Sequence, residues 1–499
     1  MTPSESADKP PPVPSRQSGV RTVLRYTGIP PSWLDKRPKL PSRNWLIFLS
    51  CTSSLVGLYI YDRRQCKQIR QEYVDKVKRF AEVTADPFDT PRRVTVFGAK
   101  WPGDEDYDQS IKYFRKYVKP VLVAAAVDYS MVTGKRHGDI ANRVAEDVRV
   151  RRREDLGIDQ DSDVTKALPT YKTLAKRRQH ELEGGIVLVG RPTFKEFMAG
   201  LKRGWTEGLE KVDRDEALAR VLEDDNHFDE PEDPITDLGS DGPVSDSPKQ
   251  PPLLSAQNSP VFSPLQMRAP PSTPPTPSSP QNVSSPSLDT PPTSIPLLPP
   301  LLFVSFTNYI GFTQIPLMIW DFFNQRHKVR SGAEAGYRLV MSSTRHIDVP
   351  ESEDFGTSSS SSSNPESTSL PNQSHGDLDF GKDVEGYYSR SLKSLPEDTE
   401  KARQKYYEAL PVKLATARAL ARGMREPTKE ELENPPPTEV ELRAERLKKE
   451  RRWRDDLAGW EIVKPSSSVA WDERFRDALR VFVDPPQDEF SEPKEGDMS

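Results

Sequence analysis

The chain reads as an α/β protein hung from one membrane helix: a single N-terminal transmembrane helix, then a βαβ-type, mostly parallel sheet domain interrupted by disordered Pro/Ser-rich insertions, with C-terminal helices. Three observations predict this. An uncharged run of 17 residues, Trp45 to Tyr61, stands near the start. After it, β-rich runs alternate with helical patterns, the order that builds a parallel sheet with helices on its faces. Finally, only 34% of the 499 residues are hydrophobic while prolines number 49, so much of the chain stays outside any core.

Residues 1–44 carry eight basic and three acidic side chains among Pro and Ser and read as a disordered tail. The span, 45–61, is WLIFLSCTSSLVGLYIY, which offers Trp45, Leu46, Ile47, Phe48, Leu49, Leu55, Val56, Leu58, Tyr59, Ile60 and Tyr61 to lipid. At about 1.5 Å per residue it measures roughly 26 Å, against a hydrocarbon core of about 30 Å. Arg43 on one side and Arg63 and Arg64 on the other reach the headgroups, and Trp45, Tyr59 and Tyr61 suit the two interfaces. A secretory signal fits less well, because its apolar stretch is shorter and begins closer to the N-terminus. Charge leaves the direction open: Lys36, Arg37, Lys39 and Arg43 precede the span, and Arg63, Arg64, Lys67 and Arg70 follow it. Asp62 to Val83 lacks Pro and Gly, and Ile69, Tyr73, Val77, Phe80 and Ala81 share one helical face. Residues 62–84 therefore read as a helical stalk, its stripe packed on the chain's own domain or on another subunit.

The α/β domain is expected over 90–222. VTVFGA (Val94 to Ala99) reads as a strand, Ile111, Phe114 and Val118 mark a helix, and the apolar run Val121 to Val127 after Pro120 reads as the next strand. Ile186 to Val189 and the helical pattern Phe194 to Leu209 add a further unit. Between them, Lys135, Arg136, Arg149, Arg151, Arg152 and Arg153 read as a solvated helical face, or as a surface near anionic lipid, and His137 as a surface residue. Residues 223–300 hold 20 prolines from position 231 onward and 11 acidic against 2 basic side chains, a disordered insertion. The domain resumes over 301–348 with PLLFVSF and the strongly hydrophobic Ile315 to Phe323. A second span over Leu297 to Phe323 is disfavoured by Asn308, Gln314, Pro316 and Asp321. Residues 349–380, with six consecutive serines from Ser358, read as a second disordered insertion. Residues 381–485 read as a C-terminal helical region, with helices at Pro396 to Arg422 and Glu439 to Leu457; Trp460 to Val483, where Trp471, Phe475, Leu479 and Phe482 have amphipathic spacing, reads as a further helix or its continuation, and 486–499 as a disordered tail.

The chemistry is sparse. With 71 basic and 76 acidic side chains there is no general pull toward nucleic acid. Cys51 and Cys66 cannot frame the soluble part with disulfides, and the six histidines are scattered. No GxxxxGK[ST], HExxH, CxxC or GxSxG occurs, so no catalytic, metal or cofactor site is expected.

The blocks GIPPSWLDKRPKLPSRNW, VTVFGAKWPGD, YFRKYVKPVLVAAAVDY and GGIVLVGRPTFKEFMAGLKRGW resemble a known family: the large single-span subunit of the mitochondrial inner-membrane carrier translocase of fungi. The resemblance implies a short N-terminus in the matrix and a large domain in the intermembrane space. It further implies a non-catalytic scaffold that supports the channel-forming subunit, docks small intermembrane-space chaperone complexes and contacts inner-membrane lipids. A weaker resemblance competes. IVLVGRPTFKEFMAGL is similar to the phosphate-binding segment of diacylglycerol and sphingosine kinase-type lipid kinases, where a strand leads into GGDGT and a helix. The corresponding residues are Gly190, Arg191, Pro192 and Thr193. Arginine for aspartate reverses a charge, and proline removes a backbone donor, so the segment reads as degenerate. A lipid kinase-like enzyme of the inner membrane is the alternative reading. A secretory-route protein is a third, raised by acceptor patterns at Asn282 and Asn372.

Overall fold

The computed structural model describes residues 42–82, 91–159, 166, 171–210, 213–229, 290–349 and 376–485. The expected disordered tails lie outside these residues except for 42–44, of which Arg43 and Asn44 already belong to the first helix, and most of the two insertions lie outside them as well.

The first element, α1 (Arg43–Ala81), is one unbroken 39-residue helix that begins before the apolar run and continues through the stalk. The elements that follow are β1 (Arg93–Gly98), α2 (Gln109–Tyr117), α3 (Lys119–Ala124), β2 (Asp128–Thr133), α4 (Asp139–Asp155), α5 (Leu174–Gly184), β3 (Ile186–Val189), α6 (Arg191–Thr206) and α7 (Arg214–Glu223). Next come β4 (Leu301–Val304), α8 (Ile315–Phe323), α9 (Arg326–Met341), β5 (Thr344–His346), α10 (Glu385–Lys393), α11 (Leu395–Ala421), α12 (Lys429–Glu433), α13 (Glu439–Val463), α14 (Phe475–Ala478) and β6 (Arg480–Phe482). The strands form one sheet in the order β2-β1-β3-β4-β6-β5. All neighbours run parallel except β5, which is antiparallel to β6.

Hydrophobic clusters fill both faces. One holds Val94, Val96, Ile111, Phe114, Val118, Leu122 and Leu339 together with Cys66, Ile69 and Val77 of α1. The stalk stripe therefore packs on the chain's own domain, against α3 and α9, with Tyr73 Oη donating to Glu334 Oε1 at 3.3 Å. Phe80 and Ala81, expected on the same stripe, are exposed. The opposite cluster holds Phe97, Ile140, Val144, Leu188, Phe194, Met198, Leu201 and Trp205 beneath α4 and α6. Those two helices approach closely, since a Cβ on Gly200 would lie 2.5 Å from the Ala141 carbonyl oxygen.

Four expectations are corrected. Val121 to Val127 is not a strand: Pro120 sits in the first turn of α3, where its missing N–H costs nothing, and the strand is the next segment, Asp128–Thr133. A short apolar run carries no period that separates a strand from a buried helix. Trp460 to Val483 is not one helix: α13 stops before Pro465, whose ring drives Lys464 into an extended conformation (ψ 142°). The chain then makes α14 and the edge-side strand β6, placing Phe475 and Leu479 in one core and Phe482 in the other. Arg152 and Arg153 are buried rather than solvated. Arg152 Nη1 donates at 2.7 Å to the Gly204 and Glu207 carbonyls at the end of α6, where a cation complements the helix dipole. Arg153 pairs with Glu146 at 3.1 Å and Asp159 at 3.0 Å. The fourth, His137, is also buried.

Candidate functional site: a filled crevice and an exposed anchor

In open α/β sheets, ligands bind outside the carboxyl ends of the strands where the strand order reverses. Here that point lies between β1 and β3, whose onward connections run to opposite sides of the sheet. The segment that resembles a phosphate loop, Gly190 to Thr193, is located there. Gly190 has φ 84° and ψ 161°, a conformation in effect open only to glycine, and Pro192 occupies the first turn of α6. Thr193 Oγ1 donates to the Val189 carbonyl at 2.6 Å and accepts from Ala99 N at 2.9 Å, stitching the two strand ends together.

The crevice above them is occupied by the chain itself. Arg191 Nε donates to Glu385 Oε1 of α10 at 2.8 Å, and its Nη1 donates to the Leu378 and Phe380 carbonyls at 2.6 and 3.0 Å. Lys195 Nζ lies 2.7 Å from the same Glu385 oxygen and donates to the Lys464 carbonyl at 2.9 Å. All three charged side chains are under 10% exposed. Burial pulls the Lys195 ammonium below its ordinary range, although Glu385 opposes the shift. Beside them Trp101 meets both Phe306 and Tyr388 edge-on at 5.2 Å. A phosphate cradle needs free N–H groups and close backbone approach. At this crevice Pro192 has no N–H, the Phe194 N–H returns to the Gly190 carbonyl, and the arginine is held by Glu385 of α10 and by the Leu378 and Phe380 carbonyls before it. Gly190, Arg191, Pro192 and Thr193 thus form a latch between the sheet and the C-terminal region.

Two further buried groups flank the latch. Glu196 is fully buried and accepts from Ile140 N at 3.1 Å, capping the start of α4; burial raises its carboxyl to about 8. His137 is held down to about 4, by burial first and the Lys100 cation second. Its carbonyl oxygen faces Gly459 of α13, where a Cβ would lie 2.0 Å away. Sequence reasoning missed Glu196. Its one signal is a charged pair, Lys195-Glu196, inside the otherwise uncharged stretch Pro192 to Leu201.

A cavity of about 1060 Å³ opens at the other, amino-terminal edge of the strands, near Arg93, Asp128, Ile186 and Arg178. Its charges are internally matched in part, with Arg178 bound to Glu154 at 2.9 Å and Asp155 at 3.3 Å. Among the described residues no group of three or more His, Cys, Asp or Glu could hold a metal.

One helix among the described residues, α1, is long and apolar enough to cross a membrane. Trp45, Leu46, Ile47, Phe48, Leu49, Leu55, Val56, Leu58, Tyr59, Ile60 and Tyr61 are all exposed, and burial begins at Asp62. The Asp62 carboxylate accepts from the Gln325 and Arg326 N–H groups, each at 3.2 Å, tying the start of α9 to the first stalk turn.

The sequence matches, over residues 21–391, the family described as inner membrane protein import complex subunit Tim54. A mitochondrial import inner membrane translocase subunit TIM54 of Cryptococcus neoformans is 36% identical over 483 residues, covering 95% of this chain and 96% of the relative. The counterpart from Candida albicans is 36% identical over 40% of this chain and 56% of its own length. That from Aspergillus oryzae is 35% identical over 35% and 40%. With one membrane-crossing helix among the described residues and a match over most of its length, this chain belongs to the Tim54 family of subunits of the mitochondrial inner membrane protein import complex.

Proposed function

We propose that this chain is the scaffold of a carrier translocase. It stabilises the channel-forming subunit and presents its domain as a docking surface for small intermembrane-space chaperone complexes that deliver multispanning carriers. Residues 45–61 are the membrane segment, with the short N-terminus in the matrix and the domain in the intermembrane space. The observation that carries the reading is the filled crevice. The place where an α/β enzyme holds a ligand is spent here on attaching the C-terminal helices, which leaves the outer surface for partners. The rigid run of α1 from the span into the core supports it, because a docking platform needs a fixed distance from the channel.

Depletion of the chain in mitochondria tests this. The translocase is expected to fall apart on native gels and carrier insertion to drop; an intact assembly with unchanged insertion would sink the scaffold role. Protease added to mitoplasts is expected to remove the domain while sparing residues before 45, and the reverse pattern overturns the orientation. Binding of ATP and Mg²⁺ by the full chain, seen as heat in calorimetry, would instead revive the kinase-like alternative.

A further inference from the structure

The helix α8 inverts the usual arrangement: it has no buried residue. Ile315, Leu317, Met318, Ile319, Trp320 and Phe322 are all exposed, Trp320 by 70%, and Phe312 just before the helix by 91%. Nine residues at about 1.5 Å each reach roughly 14 Å, far short of a bilayer core. Its place in the fold identifies what covers it. Phe322 stacks on Tyr59 of α1 at 5.6 Å between ring centroids, and Arg63 lies over both rings at 4.8 and 5.8 Å. Tyr59 is in the last turn of the span and Phe322 in the last turn of α8, so the C-terminal end of α8 lies at the level where the hydrocarbon ends. Both ends are tied to the domain: Gln314 Nε2 donates to the Tyr387 carbonyl at 2.8 Å, and α9 follows after Asn324 and Gln325. The helix therefore lies across the domain end from which the span emerges. Its single charge, Asp321, is neutralised by Lys328 at 2.5 Å. Exposed Trp and aliphatic side chains beside arginine and lysine are the chemistry of a helix lying in a membrane interface.

We propose that α8 is a second, non-spanning membrane contact, seated at the boundary of headgroups and acyl chains in the leaflet where the span ends. Its partner is the lipid surface itself, and the contact is continuous with that of the anchor. This rests on the reading of residues 45–61 as the membrane segment.

The test uses the full chain, with Cys51→Ser and Cys66→Ala, in phosphatidylcholine vesicles containing cardiolipin. A polarity-sensitive fluorophore is placed in turn at L55C in the span, I319C in α8 and V440C on the distant end of α13. Lipids spin-labelled near the headgroup are expected to quench the probe at 319, and lipids labelled deep in the acyl chain the probe at 55, each about twofold or more over that at 440, as interfacial burial and a span require. Quenching at 55 without quenching at 319 overturns this inference and leaves the span intact, pointing to a protein partner for α8. No quenching at either position overturns the span as well. In the chain with its native cysteines, brominated lipid is expected to quench intrinsic fluorescence less after Trp320→Phe; equal quenching counts against the contact.

Discussion

Two helices of this protein break the rule of apolar inside and charged outside, in opposite directions. In α6, Lys195 and Glu196 are 1% and 0% exposed; in α8, Trp320 is 70% exposed and no residue is buried. The buried polar groups of α6 are held within the chain: Lys195 by Glu385 and the Lys464 carbonyl, and Glu196 through Oε2 by the Ile140 N–H at the start of α4, while burial keeps the Glu196 carboxyl protonated to about pH 8 and leaves its Oε1 without a hydrogen bond. Among the described residues the apolar surface of α8 is left uncovered, and its Phe322 stacks on Tyr59 of the anchor. Charge buried with satisfied partners is a fastening, whereas apolar surface left bare beside a span belongs to an environment other than water.

The comparison breaks most visibly at Glu385. Glu385→Ala leaves Arg191 and Lys195 buried without their carboxylate and is expected to cost about 3–5 kcal/mol, as removal of one partner of a buried pair does. Denaturant unfolding of the detergent-solubilised chain measures it. Replacing all three with Arg191→Met, Lys195→Met and Glu385→Leu is expected to recover part of that loss, which would distinguish unpaired charge from lost packing. At the same fastening, Gly459→Val drives a side chain into the His137 carbonyl and is expected to cost about 1–3 kcal/mol by overpacking. Faster proteolysis of the C-terminal helices is the accompanying readout.

A pH series sharpens the contrast further. Glu196 has a folded value of about 8 against an ordinary 4.5, so stability present at low pH is lost as pH rises toward 8. His137, at about 4 against 6.5, acts in the other direction: its contribution is present above 6.5 and is lost as pH falls toward 4. Between 6.5 and 8 the histidine contribution is constant while that of the glutamate is being lost, and stability there is expected to fall by about 1–2 kcal/mol. Glu196→Gln is expected to flatten that window, checked by unfolding midpoints across it. The smallest effect belongs to α8. Trp320→Ser removes the largest side chain of that helix, yet is expected to change domain stability in detergent by less than about 0.5 kcal/mol, because the ring touches no core.

The sequence showed the parts of this fold whose physics is local. β1, β3 and β4 are runs rich in Val, Leu and Phe between Gly and Pro, and the anchor is one uncharged stretch. The strand β2, DYSMVT, is a half-polar edge strand, and β5 and β6 have three residues each, too few to carry a period. Least legible was the latch. Arg191 meets Glu385 across 194 positions of chain, and no spacing rule joins residues so separated. The same segment did point to the right place, because a strand, a glycine and a helix start mark the switch-point crevice whether or not it holds a ligand. What the residues could not give was that the crevice is filled.

The unbroken course of α1 has a mechanical consequence. At 39 residues the helix is about 58 Å long, and its apolar part is slightly shorter than a typical hydrocarbon core. A short span is not driven to tilt; tilting would draw Arg63 and Arg64 into hydrocarbon. Because α1 enters the core without a hinge, any change in its inclination becomes an equal change in the attitude of the whole domain. Only a bilayer locally thinner than the span would tilt it, and the angle at which the domain faces its neighbours would then change with it.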